Sequence, residues 1–199
     1  MKYAIVEDQT IVRQMLRDKI PGCIWEGRCL ADLAQLPKVD LLLLDLELPD
    51  GNALDWMAAT PERPPVLILT SVKEDVLVYR ALKTDAVGLV HKEDPFEVLQ
   101  AAITAVLHGG VYYSKTFQLV RTRINADPEA HHKLLSAREQ EVLGYLGQGL
   151  NSAEVAQIIG LKEASVADYK STIMRKIGAR SQVELMRYAL AKGFAKIGP

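Results

Sequence analysis

The first half of the chain alternates short apolar runs with segments whose apolar residues recur at helical spacing. Five runs have the length and the polar flanks of strands: residues 3–6, 23–25, 41–44, 66–69 and 88–91. The run at 41–44 is four leucines, soon followed by Pro49, Asp50 and Gly51, a pattern typical of a strand that is buried on both faces. We therefore predict a parallel sheet covered by helices on both faces, that is, a doubly wound α/β domain.

Segments with helical spacing connect these runs. The first predicted helix can be capped by Asp8 or Thr10. Its apolar stripe is predicted to consist of Ile11, Val12, Met15, Leu16 and Ile20. Further helices are predicted at residues 30–36, 54–57 and 75–82, and a last one begins at Pro95.

The second half carries four short helical patterns. Ser136 and Glu139 have the spacing of a capping box, and Asn151 or Ser152 can cap the second helix. The third helix is predicted from about residue 164 to residue 177. Glycines are expected to end the last three helices, at Gly160, Gly178 and Gly193. Two helices joined by a Gly-containing turn form a helix-turn-helix pattern, which small helical bundles also share.

The two halves also differ in charge. The 199-residue chain has a net charge of −1, so it is not a polyelectrolyte as a whole. Residues 134–199 contain 9 Lys and Arg against 6 Asp and Glu, whereas residues 1–133 contain 15 against 19. A mildly basic rear and an acidic front indicate different partners for the two halves.

Nothing in the composition points to a secreted or membrane protein. The two cysteines, Cys23 and Cys29, lack a surrounding Cys/His cluster, so we interpret both as reduced structural residues. No apolar run reaches the length needed to span a membrane, and the N-terminus meets acidic residues too early for a signal peptide. We expect a cytoplasmic protein that has no membrane partner.

Four of the five predicted strands are followed by polar side chains that can bind an ion or take part in a reaction. These are Glu7 with Asp8, then Asp45, Thr70 and Lys92. A parallel sheet brings the carboxyl ends of its strands to one edge, where ligand sites form. Three carboxylates placed together repel one another unless a cation lies among them, and hard oxygen ligands suit Mg²⁺. The alternative is that the first two acids cap a helix and the lysine is a surface residue.

This set of residues can support phosphoryl transfer. Asp45 could attack a phosphoryl group and form an acyl phosphate. A metal ion and Lys92 would neutralise charge on the transferred oxygens, and Thr70 could then donate a hydrogen bond to them. No other catalytic set appears in the sequence, so an independent enzyme is not expected.

Residues 1–117 resemble the receiver domain of two-component response regulators, which has a flavodoxin-like fold with a five-stranded parallel sheet. The family's acidic pair falls on Glu7 and Asp8, and its phosphoacceptor falls on Asp45. The resemblance implies that Asp8 and Asp45 bind Mg²⁺ directly, Glu7 through water and Glu47 through its backbone carbonyl. It also implies that Thr70 is the switch hydroxyl, that Lys92 contacts the phosphoryl group, and that the phosphodonor is a histidine kinase. A receiver catalyses only its own aspartyl phosphorylation and dephosphorylation.

Two departures from the family concern signal transmission. The family often has an aromatic residue three positions before the lysine, and this residue swings inward when the threonine binds phosphate. Here that position is Leu89. The second helix, at residues 30–36, is also truncated.

The second half resembles the LuxR-type DNA-binding domain. The resemblance rests on the segment Leu135 to Leu143, on Gly149 to Ala156, and on Ser165, Val166, Ile173 and Lys176 to Gly178. It divides the chain into a receiver at 1–117, a solvated linker at 118–133 that includes His131 and His132, and a helix-turn-helix domain at 134–199. A receiver followed by this domain is the organisation of the NarL/FixJ subfamily.

In that family, the third helix of the domain contacts DNA. A helical wheel predicts a core face of Val166, Tyr169, Ile173 and Ile177. The positions expected to contact DNA are Ala167, Asp168, Lys170, Ser171, Thr172, Arg175 and Lys176. Relatives often have lysine where this chain has Ala167, and Lys162 replaces the usual serine cap, so we expect fewer basic contacts.

The leading hypothesis is a transcription factor that binds promoter DNA as a homodimer and is controlled by phosphorylation of Asp45. The apolar fourth helix, around Leu185, Tyr188 and Ala189, is either a dimer surface or part of the domain core. One alternative is a receiver-based signalling adaptor whose helical domain binds protein. Another is a degenerate receiver that acts without phosphate, which the intact acidic and lysine positions argue against.

Overall fold

The computed structural model describes residues 1–127 and 130–195, including the backbone but not the side chain of His132. The chain forms two compact units, one made mainly of the first 121 residues and the other mainly of later residues. Residues 128, 129 and 196–199, which belong to the predicted linker and to the end of the predicted DNA-binding domain, lie outside the described residues.

The first unit is built on a parallel sheet. Its strands in chain order are β1 (Tyr3–Val6), β2 (Cys23–Gly27), β3 (Leu41–Leu44), β4 (Glu47–Leu48), β5 (Gly51–Asn52), β6 (Val66–Thr70), β7 (Gly88–His91) and β8 (Tyr112–Tyr113). Six of them form one sheet in the order β2-β1-β3-β6-β7-β8, and β4 and β5 pair separately as an antiparallel turn. The sheet thus has one strand more than predicted, because β8 is too short to show a periodic pattern in the sequence.

Helices follow most of these strands. They are α1 (Thr10–Lys19), a 3₁₀ helix (Leu30–Gln35), α2 (Ala53–Ala59), α3 (Asp75–Leu82), α4 (Phe96–Leu107) and α5 (Lys115–Ala126). The truncation of the second helix is confirmed, since six residues of 3₁₀ helix stand in its place. At α4, Pro95 is the N-cap residue rather than the first helical residue.

The apolar face of α1 differs from the prediction. Ile11 is 82% exposed and Met15 is also exposed, whereas Leu16 and the charged Arg13 are buried. The predicted stripe was too wide, because periodicity alone cannot show that a cation replaces an apolar residue on the inner face. Capping also differs, since Gln9 is the N-cap and makes no side-chain capping hydrogen bond.

The segment predicted as a solvated linker is largely helical. Helix α5 extends to Ala126, and α6 covers His131–Leu134. The expectation that His131 is solvated was wrong, because its ring is buried with its edge against Phe194 at 5.6 Å. The placement of the domain boundary within 118–133 remains a prediction.

Both faces of the sheet are buried, as the leucine run predicted. Alternate residues of the central strands contribute to a core with Leu16 of α1 and with Leu99 and Ile103 of α4. The residues between them, such as Leu42 and Leu44, are equally buried on the opposite face. Parallel sheets keep both faces covered in this way, which leaves their carboxyl edge as the place for polar chemistry.

The second unit is a helical bundle. It contains α7 (Ala137–Gly147), α8 (Ser152–Ile159), α9 (Glu163–Ile177) and α10 (Gln182–Lys192), all close to their predicted bounds. Ser136 and Glu139 form the predicted capping box, and Asn151 rather than Ser152 caps α8. Gly160 and Gly178 end α8 and α9 with positive φ, a conformation that glycine adopts without steric cost.

Candidate functional site

The sheet register brings the acidic residues together. Val6 is paired with Leu44, so the next residues of the two strands, Glu7 and Asp45, are neighbours at the carboxyl edge. Carboxylate oxygens of Glu7, Asp8 and Asp45 lie within 4.8 Å of one another. Glu7 is 1% exposed and Asp45 is 4% exposed, whereas Asp8 is open to solvent. The predicted acidic site therefore exists as a half-open cluster.

Lys92 holds the two buried acids. Its Nζ lies 2.8 Å from Glu7 Oε2 and 2.8 Å from Asp45 Oδ2. Lys92 directly follows β7, whose last residue, His91, pairs with Thr70 of β6. The Lys92 backbone N–H donates to the Thr70 carbonyl at 2.9 Å. One ammonium group thus serves two carboxylates, so the site keeps an excess of negative charge.

Burial acts on the protonation of this cluster. Desolvation raises the pKa of Glu7 to about 7, although its bonds to Lys92 act in the opposite direction. Desolvation also raises the pKa of Asp45, against the same opposing effect of Lys92. The pKa of the Lys92 ammonium is raised: desolvation, the largest single contribution, lowers it, but bonds to Asp45 and Glu7 prevail. The pKa values of both acids are thus raised even though Lys92 lowers them, so one cation does not compensate for the burial of two carboxylates.

The donor set fits a magnesium ion. Mg²⁺ prefers oxygen ligands, keeps several waters and needs only one or two carboxylates. An exposed Asp8 beside two buried acids with excess negative charge offers that arrangement, with an open side for water. The Glu47 backbone N–H lies 3.4 Å from Asp45 Oδ1, and the role of the Glu47 carbonyl as a ligand remains a prediction.

Thr70 and Leu89 lie next to this edge, and both are fully buried. The Thr70 hydroxyl accepts a hydrogen bond from the Val72 N–H at 3.2 Å, which fixes its orientation in this structure. Leu89, at the position of the family's mobile aromatic, can form neither a hydrogen bond nor a ring contact.

Sequence reasoning missed Arg13. This buried guanidinium donates from Nη1 to the carbonyls of Glu7 and Asp8, at 2.6 Å and 3.2 Å, and its Nε lies 3.4 Å from Glu26. It therefore fixes the backbone that presents the acidic pair. The available signal was its position, five residues after Asp8 and beside the apolar Val12.

Helix α9 presents the residues expected to contact DNA. Val166 and Ile173 are fully buried in the core of the helical unit, and Tyr169 and Ile177 pack partly buried against it, which confirms the predicted core face. On the other side, Ala167, Asp168, Ser171 and Arg175 are exposed, with Lys170 and Thr172 partly buried at the margins. The N-cap Lys162 makes no side-chain capping bond, as its residue type implied.

Lys176 is engaged within its own domain. Its Nζ lies 2.8 Å and 2.7 Å from the two carboxylate oxygens of Glu139, the buried capping-box residue of α7. By contrast, no residue within 1–127 or 130–195 forms an ion pair with Lys170 or Arg175. The structure therefore weakens Lys176 as a candidate phosphate contact.

The fourth helix of the bundle serves the core. Leu185 and Ala189 of α10 are fully buried, and Tyr188 packs partly buried against Phe194. A Cβ on Gly147 would lie 2.4 Å from the Ala189 Cβ, so α7 and α10 approach each other closely at that point. Of the two interpretations of this apolar face, the structure supports core packing.

The described part of the chain has no helix that is both long and apolar enough to span a bilayer.

Comparison with known proteins finds relatives for both units. Residues 4–104 match the family model of the response regulator receiver domain, and residues 133–189 match that of bacterial regulatory proteins of the luxR family. The oxygen regulatory protein NreC of Staphylococcus aureus is 32% identical over 167 residues, which span 78% of this chain and 77% of the relative.

Solved structures show the same fold at lower identity. RcsB from Salmonella enterica serovar Typhimurium, bound to the promoter rprA in the presence of phosphomimetic BeF3⁻, is 22% identical with a TM-score of 0.65, over 94% of this chain and 97% of that one. Another structure contains two RcsB dimers bound to two parallel DNAs, with 21% identity and a TM-score of 0.61 over 96% of this chain and 98% of that one. The response regulator ChrA of a heme-sensing two-component system is 23% identical with a TM-score of 0.54, over 97% and 98% of the two chains.

Lowering the pH should stabilise the metal-free protein while Glu7 becomes protonated. The pKa of Glu7 is raised from 4.5 to about 7, so between these values the folded state binds more protons than the unfolded state. The free energy of unfolding should then rise as the pH falls through this window, and Mg²⁺ should stabilise more at about pH 8 than at about pH 6. Thermal unfolding with and without Mg²⁺ measures both effects.

The matched variant for this experiment is Glu7→Gln, which keeps the shape of the side chain but does not titrate. The free energy of unfolding of this variant should change less with pH between 4.5 and about 7 than that of the wild type, because the titrating carboxyl group is absent. If the two profiles coincide, the raised pKa does not belong to Glu7.

Proposed function

The chain belongs to the DNA-binding response regulators that join a receiver domain to a LuxR-type helix-turn-helix domain, and we propose that phosphorylation of Asp45 by a histidine kinase controls its binding to promoter DNA. The observation that carries the proposal is the Lys92 ammonium held 2.8 Å from Asp45 in a cluster of three carboxylates. Such a cluster suits a carboxylate that must receive a charged group and keep it.

In the proposed reaction, an Asp45 carboxylate oxygen attacks the phosphorus of the kinase phosphohistidine. A new P–O bond forms, the P–N bond breaks, and the leaving imidazole nitrogen takes up a proton. Asp8 and Asp45 would hold a magnesium ion directly, Glu7 through water and Glu47 through its carbonyl. Such an ion would supply positive charge to the phosphoryl oxygens. We propose no further enzymatic activity beyond this self-phosphorylation and its reversal by water.

The residues around Asp45 then stabilise the product. Lys92 can move its hydrogen bond from the Asp45 carboxylate to a phosphoryl oxygen, because its Nζ already lies at the right distance from the acceptor. Thr70 can exchange the Val72 N–H for a phosphoryl oxygen, to which its hydroxyl would donate. Two contacts change together, and this gives the phosphorylated state its differential stability.

The output of the proposed switch is DNA binding by α9. Its exposed face offers Arg175 as the strong cation, and Ala167, Asp168 and Ser171 would lie toward the bases. The partly buried Lys170 and Thr172 at the margins of this face would contact a phosphate and a base, respectively. Asp168 can accept from a cytosine amino group but repels phosphate. Because so few cations give weak binding per domain, we propose that the protein binds a two-fold site as a homodimer. RcsB, which shares the fold, has been solved as dimers bound to DNA. The proposed location is the cytoplasm, where promoter DNA and the kinase's catalytic domain are accessible.

The chemistry predicts that acetyl phosphate or a kinase, with Mg²⁺, labels Asp45 alone. Asp45→Asn should abolish labelling, and Asp8→Asn should weaken Mg²⁺ binding, because a direct carboxylate ligand is lost. Incorporation of ³²P, located by peptide mapping, measures the first effect. Strong labelling of Asp45→Asn would disprove the assignment.

Phosphorylation should increase DNA affinity only modestly, on the order of tenfold (~1.4 kcal/mol), since Leu89 cannot supply the family's aromatic contact. Appreciable binding is therefore expected without phosphate. The ratio of dissociation constants for one defined genomic fragment, with and without phosphodonor, measures the gain. A thousandfold gain would show that coupling at this strength does not need the aromatic.

Lys170→Ala should lower the log-log salt slope of DNA binding by about one per domain, because one phosphate contact is lost. Asp168→Ala should instead change base preference with little effect on the slope. Lys38→Ala, which removes the same charge from an exposed site on the receiver, is the matched control and should change neither quantity. Unchanged affinity and slope in both α9 variants would mean that α9 does not contact DNA.

A further inference from the structure

The buried residue His91 directly precedes Lys92 and lies beside Thr70 on the neighbouring strand. It ends β7, pairs with Thr70 in the sheet and is only 1% exposed. Neither the phosphoryl chemistry nor DNA binding uses its imidazole. A buried imidazole with polar atoms needs partners, and both of its nitrogens have one.

The partners fix the protonation of the ring. Nδ1 lies 3.2 Å from the Glu93 backbone N–H, which donates to it, so Nδ1 carries no proton. Nε2 lies 3.3 Å from the Ser71 carbonyl, which can only accept, so the proton is on Nε2. Through these two hydrogen bonds, the His91 imidazole joins the segment after β6 to the segment after β7.

A third contact leads to α5. The His91 ring lies 5.8 Å from the ring of Phe117, tilted by 54°, and Phe117 is a fully buried residue of α5. The His91 backbone N–H also donates to Asp94 at 3.0 Å, and the other Asp94 oxygen accepts from the Thr116 hydroxyl at 2.7 Å. The imidazole and Asp94 therefore both connect the carboxyl edge of the sheet with the start of α5.

We propose that His91 is the positioning residue that transmits the state of Asp45 to α5, in place of the aromatic residue that Leu89 replaces. The proposal rests on the proposed function, because it needs Thr70 to turn from the Val72 N–H to the phosphoryl group. The Val72 N–H that Thr70 would release and the Ser71 carbonyl bonded to His91 belong to the same planar peptide group. When that group turns, the ring bonded to its carbonyl moves against Phe117. Leu89, fully buried and apolar, has no atom that can follow this movement by a hydrogen bond.

Two variants test separately the contact of the His91 ring with the Ser71 carbonyl and its contact with Phe117. His91→Phe keeps a ring next to Phe117 but loses the bond to Ser71, whereas His91→Gln keeps an N–H donor but loses the ring. His108→Gln is the matched control, because His108 is an exposed histidine whose Nδ1 lies 2.7 Å from the Thr104 carbonyl of its own helix. All are studied as the full chain with Mg²⁺.

The main readout is hydrogen exchange of α5 amides with and without BeF3⁻. We expect BeF3⁻ to change the exchange rates near Phe117 on the order of tenfold in the wild type and in His108→Gln. Each His91 variant should show a change below about twofold, because either missing contact interrupts the connection. Labelling of Asp45 by acetyl phosphate is measured in the same preparations and should be retained.

A labelled His91 variant that keeps the wild-type response of α5 would overturn the inference. If acetyl phosphate does not label Asp45 in the wild-type protein, the proposed function is wrong, and the inference that rests on it is also wrong. If the variants fail to fold or to accept label, ¹⁵N spectra of the imidazole in the wild type decide. Signals of the Nε2-protonated ring that shift with BeF3⁻ support the role, and signals that do not shift refute it.

Discussion

The attraction between the Lys92 ammonium and the two buried carboxylates of Glu7 and Asp45 is the interaction on which the first unit depends. Charges removed from water are costly unless they are paired, and here two anions share one cation. The sheet register places the acids side by side, and Arg13 fixes the backbone that carries Glu7 and Asp8. The remaining negative charge makes the site receptive to a divalent cation. Burial of Glu7 raises the pKa of its carboxyl group, against the opposing effect of Lys92.

The sequence was sufficient to predict that Glu7, Asp45 and Lys92 lie together, because each of them follows a buried apolar run. The leucines of β3 mark a strand covered on both faces, and the position after the strand then fixes where Asp45 lies. Because the strands are parallel, their carboxyl ends lie at one edge of the sheet, and the residues that follow them are neighbours there. Features without a periodic pattern could not be predicted in this way. The two residues of β8 are too few, and the position of Arg13 beside the apolar Val12 does not by itself separate an inward arginine from a solvated one.

Tertiary contacts also change the significance of single residues that the sequence shows only as charged or polar. Lys176 counts toward the basic character of the helical unit, yet Glu139 takes both of its short contacts. Glu139 is buried as part of a capping box, so its carboxylate needs that cation more than an exposed acid would. In the proposed DNA-binding role, the charge that α9 could offer to phosphates is therefore smaller than the composition suggests. Specific binding by such a surface requires either two domains or strong base contacts, and the small side chains of α9 favour the first.

The same reasoning applies to transmission within the receiver. A two-state switch needs a group whose contacts differ between the states, and an aliphatic side chain in a filled core offers little difference because packing changes by small amounts. An imidazole bonded at both nitrogens is different, since movement of one backbone partner must either turn the ring or break a hydrogen bond. His91 has this property, and its ring contacts the buried Phe117 of α5. The loss of the aromatic at position 89 therefore does not imply a receiver that cannot signal. It implies that the mobile element is two residues further along the same strand, with a coupling free energy limited by one or two hydrogen bonds and one ring contact.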